Sequence, residues 1–376
     1  MGNNGQLKVC FVQVHAYSMF NPQSKANIGG TELQLYLLSR ELAKDERFDV
    51  SIITGDWGQK DLEVYDGIKV YKSYALGKRL LAYLWAPFLL WQALNRVNAD
   101  IYIPSAAGPE HGIVAFFCRR KKKKMIYRVA AVADVNKRFM ELAWWRRIPY
   151  EFALKKADTI ICQSKEQDDW LREYYQRTGI VVKNISPAVG SGRNFMRDRK
   201  FILWIGHAVL FKQPDFFVRL AKGFPEEQFV MVLTPDMQDL WDVIKTESEK
   251  MDNFKLVGKI PFDEAQHYFA EAGIFVNTST QEGFPNTFLQ AAANGVPIVS
   301  LNSNPDNFLE SYECGFYAGG DFQRMKEQVG RLISDHNLWQ KMSRNALDYI
   351  KKNHNPDVIV NQWKQILFNN YEEKNT

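Results

Sequence analysis

The sequence predicts an α/β protein of two Rossmann-like domains, each built on a parallel sheet. Three observations predict this. Apolar, β-branched runs of strand length recur between stretches of helical periodicity, the pattern of βαβ units. They fall into two series, separated by residues 187–200, a Gly-rich and basic stretch without periodicity. The chain has 376 residues, 46% hydrophobic and 24% charged, which is enough for two large cores in a globular protein.

The first series of predicted strands is 8–14, 50–54, 68–72, 101–103, 125–129, 159–162 and 180–185. The second is 201–205, 229–233, 254–257, 273–277 and 297–301. Domain boundaries follow at 1–190 and 191–355, with a closing segment 356–376. That segment reads as an amphipathic helix through Val358, Ile359, Val360, Trp363, Ile366, Leu367 and Tyr371. The N-terminus shows no basic region leading into an apolar stretch, and Gln6 stands where a myristoylation motif wants Ser or Thr. Cys10, Cys118, Cys162 and Cys314 are widely spaced and form no C-x-x-C. Buried thiols in a reducing cytoplasm, and no metal site, are the expectation.

Residues 277–287 are the most informative run, because they lie where a buried strand hands over to a helical pattern at 288–294. In open α/β sheets ligands bind outside the carboxyl ends of the strands. A helix N-terminus offers free N–H groups to a phosphate, and Gly283 allows close backbone approach. Glu282 suits hydroxyl groups, as on a sugar, better than a phosphate. A second such place follows the first strand. There Gly29 and Gly30 precede Thr31, Glu32 and a leucine-rich helical pattern, and Thr31 with Gln34 has the spacing of a capping box. On spacing alone, a ligand loop and an ordinary cap explain that double glycine equally well.

Glu282, Gly283, Phe284, Pro285, Asn286, Thr287 and Gln290, followed by small residues, Gly295 and Pro297, resemble the motif of family 4 retaining glycosyltransferases of the GT-B fold. That motif is Glu, seven residues, Glu, small residues, Gly and Pro; here Gln290 stands at the second Glu. The resemblance covers nearly the whole chain. It implies two domains facing each other across a cleft, with the last helix crossing back to the first. It implies a nucleoside diphosphate sugar as donor substrate, with no cofactor and no metal, and a glycan or lipid-linked acceptor held mainly by the first domain. Gly29 and Gly30 would lie near the donor sugar and phosphates. Gly206 and Lys212 match the element that holds the diphosphate, with His207 where the family has Arg. A neutral imidazole is a weaker phosphate ligand than a bidentate guanidinium. Gln290 would meet ribose hydroxyls as donor and acceptor.

The family's His in the middle of the first sheet is absent from residues 125–136. Asp134 is the nearest polar residue, with Arg128 and Asn136 close by; it reads equally as a helix cap, and His15 and His111 compete for the role. The catalytic set implied is therefore Glu282, Lys212 and Asp134. His207 and Gln290 also motivate an alternative, a weakened homologue that binds sugar nucleotides or acts as a scaffold. A nucleotide-sugar epimerase on the same fold would need further acid/base residues, and no clear set is present.

Charge is uneven. Residues 1–200 carry 32 Lys+Arg against 20 Asp+Glu, while the rest of the chain carries 16 against 23. Such asymmetry points the first half toward something anionic. The apolar run 80–92, with Pro87 inside it, is too short to span a membrane and reads first as a core helix. With Trp144, Trp145, Arg146, Arg147 and the basic run 119–124, it is also a candidate membrane-facing surface for a peripheral cytoplasmic protein. No nucleic-acid-binding motif accompanies the charge, so nucleic acid ranks below lipid.

Overall fold

The computed structural model describes residues 5–21, 24, 29–76, 80–136, 143–186, 200–280 and 282–372, with the side chains of 80–84 left out. The chain forms two compact units, Met1–Ile185 with Asp357–Thr376, and Ser186–Pro356. Most of the predicted linker lies outside the described residues.

The first unit runs β1 (Leu7–Val12), α1 (Gly30–Ala43), β2 (Phe48–Asp56), β3 (Leu62–Tyr65), β4 (Ile68–Ala75), α2 (Leu80–Val97), β5 (Ile101–Pro104), α3 (Glu110–Lys121), β6 (Lys124–Arg128), α4 (Trp144–Lys156), β7 (Thr159–Cys162), α5 (Lys165–Tyr175) and β8 (Ile180–Val181). Among the described residues its sheet has the order β3-β4-β2-β1-β5-β6-β7-β8. Central β5 is buried along its whole length, and β2 nearly so, as strands covered on both faces must be. The expectation of a purely parallel sheet fails at one edge, where β3 pairs antiparallel with β4. The hairpin turn is Asp66-Gly67, with φ of 49° and 80°, the pairing that a type I′ turn demands. The predicted strand 180–185 pairs only over two residues. Beyond it the backbone is held by a side chain: Gln34 donates to the Ile185 carbonyl (2.9 Å) and accepts from the Ile185 N–H (2.8 Å). Gln34 therefore forms no capping box with Thr31, and α1 starts from Gly29 without a side-chain cap.

The second unit runs β9 (Phe201–His207), α6 (Pro214–Lys222), β10 (Phe229–Thr234), α7 (Gln238–Ser248), β11 (Phe254–Val257), α8 (Phe262–Glu271), β12 (Ala272–Asn277), α9 (Asn286–Ala293), β13 (Ile298–Ser300), α10 (Phe308–Ser311), β14 (Gly315–Tyr317), α11 (Phe322–Ser334) and α12 (His336–Asn353). Its sheet, β11-β10-β9-β12-β13-β14, is parallel throughout. Period-two alternation sends Ile202 and Trp204 into one core and Leu203 into the other. Asp321 and Asp335 cap α11 and α12 by accepting from backbone N–H groups of the first turn.

The closing helix, α13 (Pro356–Glu372), packs on the first unit. Lys364 pairs with Asp45 at 2.7 Å, Phe368 lies 5.1 Å from the Phe48 ring, and Thr159 donates to Asn370 at 2.9 Å. The Gln34 clamp gives a test of the first unit. Gln34→Ala leaves both polar groups of buried Ile185 without this partner, and the expected loss is about 1–3 kcal/mol. Denaturant unfolding should show a lower midpoint at unchanged slope.

Candidate active site

In the second unit, two handovers from strand to helix meet. β9 ends in Gly206 and His207, and a short 3-10 turn, Leu210–Lys212, leads into α6. β12 ends at Asn277, and its loop leads to α9 through Glu282. The Lys212 ammonium donates to Glu282 Oε1 in a close ion pair, both side chains being mostly buried. Backbone and hydroxyl groups strap the same two loops. The Thr280 N–H donates to the Phe211 carbonyl at 2.8 Å, and the Thr278 hydroxyl donates to the Lys212 carbonyl at 2.7 Å. Thr278 also accepts from the Trp204 indole at 2.9 Å. A chain of hydrogen bonds thus runs from the strand core, through buried Thr278, to the backbone that carries Lys212.

Gly206 belongs to the same arrangement. A Cβ there would lie 2.7 Å from Cη2 of the Trp204 ring, so glycine makes room for the indole that anchors Thr278. His207, half-buried beside it, donates from Nδ1 to the Asp236 carboxylate at 2.9 Å. Asp236 follows β10, whose Thr234 is paired in register with His207. In the α9 loop, Phe284 is buried against the rings of Phe308 (5.2 Å) and His354 (5.1 Å), and so anchors the loop to the core. Gly283 is half-buried and Pro285 buried, while Asn286 and Thr287 form the half-buried first positions of α9. Gln290 is buried one turn further on. Gln281 lies outside the described residues.

The other candidates lie in the first unit. Gly29 has φ of −112°, open to any residue, but a Cβ would meet the Glu32 carboxylate at 2.5 Å. That carboxylate is buried over the start of α1. Asp134 is buried and accepts from the N–H groups of Ala130 (2.9 Å) and Ala131 (3.0 Å), closing a 3-10 turn. Burial raises its pKa against the opposing pull of those two hydrogen bonds. Its carboxylate is thus turned to its own loop, and the capping reading describes its geometry. Arg128 is buried, donating to Asn184 (2.7 Å) and Ser105 (3.3 Å), and burial brings its pKa down to about 10. His111 is buried with Nε2 on the Ala106 carbonyl at 2.6 Å, while His15 is exposed. Asn136 is half-buried at the end of the Asp134 turn. Among the described residues no cluster of three or more His, Cys, Asp or Glu is placed to hold a metal ion.

Sequence reasoning missed Asp236, Thr278 and Trp204. Asp236 had a usable signal, since it follows a predicted strand at a handover to a helix. The Thr278 chain is testable without any ligand. Thr278→Val removes a partner from the Trp204 N–H and the Lys212 carbonyl, and the expected loss is about 1–3 kcal/mol in chemical unfolding.

Comparison with known proteins bears on this geometry. Residues 28–185 match the family described as Glycosyltransferase Family 4, and residues 199–335 match the Glycosyl transferases group 1 family. A Haemophilus influenzae protein described as an uncharacterized glycosyltransferase is 22% identical, over 90% of this chain and 96% of that one. An Escherichia coli UDP-Gal:alpha-D-GlcNAc-diphosphoundecaprenol alpha-1,3-galactosyltransferase is 21% identical, over 82% and 86%. Among solved structures, sucrose-phosphate synthase from Thermosynechococcus elongatus superposes with a TM-score of 0.79 at 14% identity, covering 98% of this chain and all of that one. With two family matches in chain order, relatives along most of its length and a shared two-sheet architecture, the chain belongs to family 4 of the glycosyltransferases and has the GT-B fold.

Proposed function

We propose that this glycosyltransferase is a retaining enzyme that moves a hexosyl group from a nucleoside diphosphate sugar to a glycan or lipid-linked acceptor, without a metal ion. The observation that carries the reading is the Lys212–Glu282 pair at the carboxyl ends of β9 and β12, where α/β sheets bind ligands. Lys212 and His207 meet the diphosphate, together with the N-terminus of α9, and stabilise the charge that develops as it leaves. Glu282 accepts from hydroxyls of the donor sugar. Gln290 is the candidate for ribose, and Gly29 and Gly30 for the donor side of the first unit. The acceptor hydroxyl attacks the anomeric carbon from the face that the diphosphate leaves. A new C–O bond forms, the bond to the diphosphate breaks, and the proton passes to the departing phosphate.

Thermal stabilisation by UDP-galactose, UDP-glucose and ADP-glucose is the first screen, since a ligand at a hundred times its Kd adds about 2.7 kcal/mol. For whichever binds, Lys212→Ala should weaken the nucleotide sugar and the free nucleoside diphosphate alike, by roughly ten- to a hundred-fold, because a charged hydrogen bond contributes about 1.5–3 kcal/mol. Glu282→Ala should abolish transfer with the fold intact, and chelators should leave wild-type turnover unchanged. Donor binding without turnover on any acceptor would instead favour the weakened homologue.

The acceptor class rests on a second surface. Helix α3 packs against both α2 and α4. Trp85, Phe88, Phe116, Trp144, Trp145 and Ile148 on these helices are each more than half exposed. Arg119, Arg120, Lys121, Lys122 and Arg146 are exposed as well, whereas Lys123 and Lys124 pair with Asp100 and Asp158. Amphipathic aromatics among cations suit an anionic lipid interface, and no described helix is long and apolar enough to cross a membrane. The E. coli relative takes, by its name, a diphosphoundecaprenol-linked acceptor. Flotation with anionic liposomes at low salt should carry the protein upward. The effect should fade with salt, since screening shortens to about 8 Å at physiological ionic strength. Indifference to anionic vesicles at low salt would make a soluble acceptor the better assignment.

A further inference from the structure

We propose that a cavity beside edge strand β14 is a second carbohydrate site, which holds a neutral glycan apart from the Lys212–Glu282 site. The inference goes beyond the donor site proposed above. It rests only on membership of the glycosyltransferase family, which makes a glycan the polyol at hand.

β14 is the last strand of its sheet and pairs with β13 alone. Helices α10 and α11 pack on it, and α12 packs on α11. A cavity of about 510 Å³ lies among them, a size usual for small-molecule sites. It shares no residue with the donor site. On α11, Arg324, Gln328 and Arg331 stand one turn apart on one face and line the cavity, with Glu327 beside them. Gln328 is the informative one. Its Nε2 donates to the Tyr317 carbonyl at 3.2 Å, giving the edge strand the partner that a neighbouring strand would supply. The Oε1 of the same amide has no hydrogen-bond partner, although Gln328 is only 6% exposed. A buried acceptor in that state costs free energy until a donor meets it. A ligand hydroxyl seated against Gln328 supplies one.

The rest of the lining selects the ligand class. Glu310, Glu313 and Glu327 face Arg324, Arg331 and Lys341, so no net charge recruits an ion. Lys341 pairs with Glu313 at 2.9 Å, while Arg324, Glu327 and Arg331 form no ion pair among the described residues. Phe316 and Tyr317 of β14 are half-buried at the cavity, and the Arg331 guanidinium lies over the Phe316 ring at 5.0 Å. A neutral polyol answers each feature. Its hydroxyls donate and accept, so they serve carboxylates, guanidinium groups and the Gln328 oxygen alike. Its C–H faces rest against the aromatic side chains. A phosphate would meet three carboxylates with the three cations, and a hydrophobe would strip water from all six charges and give nothing back.

Calorimetry on the full chain with maltotriose, cellotriose, lactose and triacetylchitotriose tests this. At least one should bind with a Kd of about 1 mM or tighter. Arg324→Ala and Glu327→Ala change exposed residues without ion pairs. Their melting temperatures should match wild type while affinity for that sugar falls roughly tenfold, as the loss of a charged hydrogen bond implies. Gln328→Met keeps the side chain's length and removes the acceptor, so it should weaken the sugar too; its melting temperature reports the separate loss at the Tyr317 carbonyl. Lys212→Ala should bind the sugar as wild type does, whether or not any nucleotide sugar binds, so this result stands apart from the fate of the donor reading. No binding of any of the four sugars at millimolar concentration would overturn the site. Wild-type affinity in both Arg324→Ala and Glu327→Ala would place the sugar elsewhere and overturn it equally. Inorganic phosphate or glucose 6-phosphate binding more tightly than every neutral sugar, and lost in Arg324→Ala, would make the cavity an anion site and overturn the assignment to a neutral glycan.

Discussion

The pairing of Lys212 with Glu282 is the interaction on which the site in the second unit depends. Each residue sits in a loop of irregular backbone, and the two loops leave different strands. Loops are the least ordered parts of a fold unless something ties them down. Here an ion pair, two hydroxyl straps and a backbone hydrogen bond tie them to each other. A mostly buried pair has a desolvation cost that its attraction only partly returns, so such a pair is weak evidence for stability. Its value lies in geometry. An ammonium has three N–H groups and a carboxylate two oxygens, so each partner can hold the other and still address a ligand. Pairing orients both side chains, so little ordering would be left for binding of the proposed donor.

The strands and their alternation with helices were legible because buried parallel strands read as short apolar runs between turn residues. The antiparallel edge was not, since Leu62 and Val64 are exposed and the four-residue β3 lacks a core-facing pattern; Asp66-Gly67 was its only clear sign. Within the site, Glu282 and Lys212 were legible because strand-to-helix handovers are local features of sequence. Asp236 lies at such a handover too, but its partner was not legible, because that comes from a register. β10 lies parallel to β9 with Thr234 opposite His207, and that long-range pairing alone brings residue 236 to residue 207. Asp134 shows the opposite case. Its position suggested chemistry, but only burial and two backbone donors reveal what its carboxylate does.

The glycines teach a related lesson. A glycine in a ligand-binding loop invites the explanation that a ligand passes close to the backbone. At Gly206 and Gly29 the space that a Cβ would fill is taken first by the protein itself, by the Trp204 ring and the Glu32 carboxylate. Both neighbours are buried. Substitution at Gly206 would act through Trp204 and Thr278 on the backbone of Lys212, so it would perturb the site even where no ligand touches residue 206.

Charge arithmetic bears on what such a site could offer a ligand. Lys212 and Glu282 cancel, so the pair itself carries no net charge. The α9 N-terminus adds about half a positive charge through its backbone N–H groups. Any attraction that the two loops have for an anion would therefore come from fixed backbone dipoles and from the direction in which the ammonium points, and less from a surplus of cationic side chains. That ties the proposed function of the loops to their geometry, which the Thr278 chain and the Lys212–Glu282 pair hold in place.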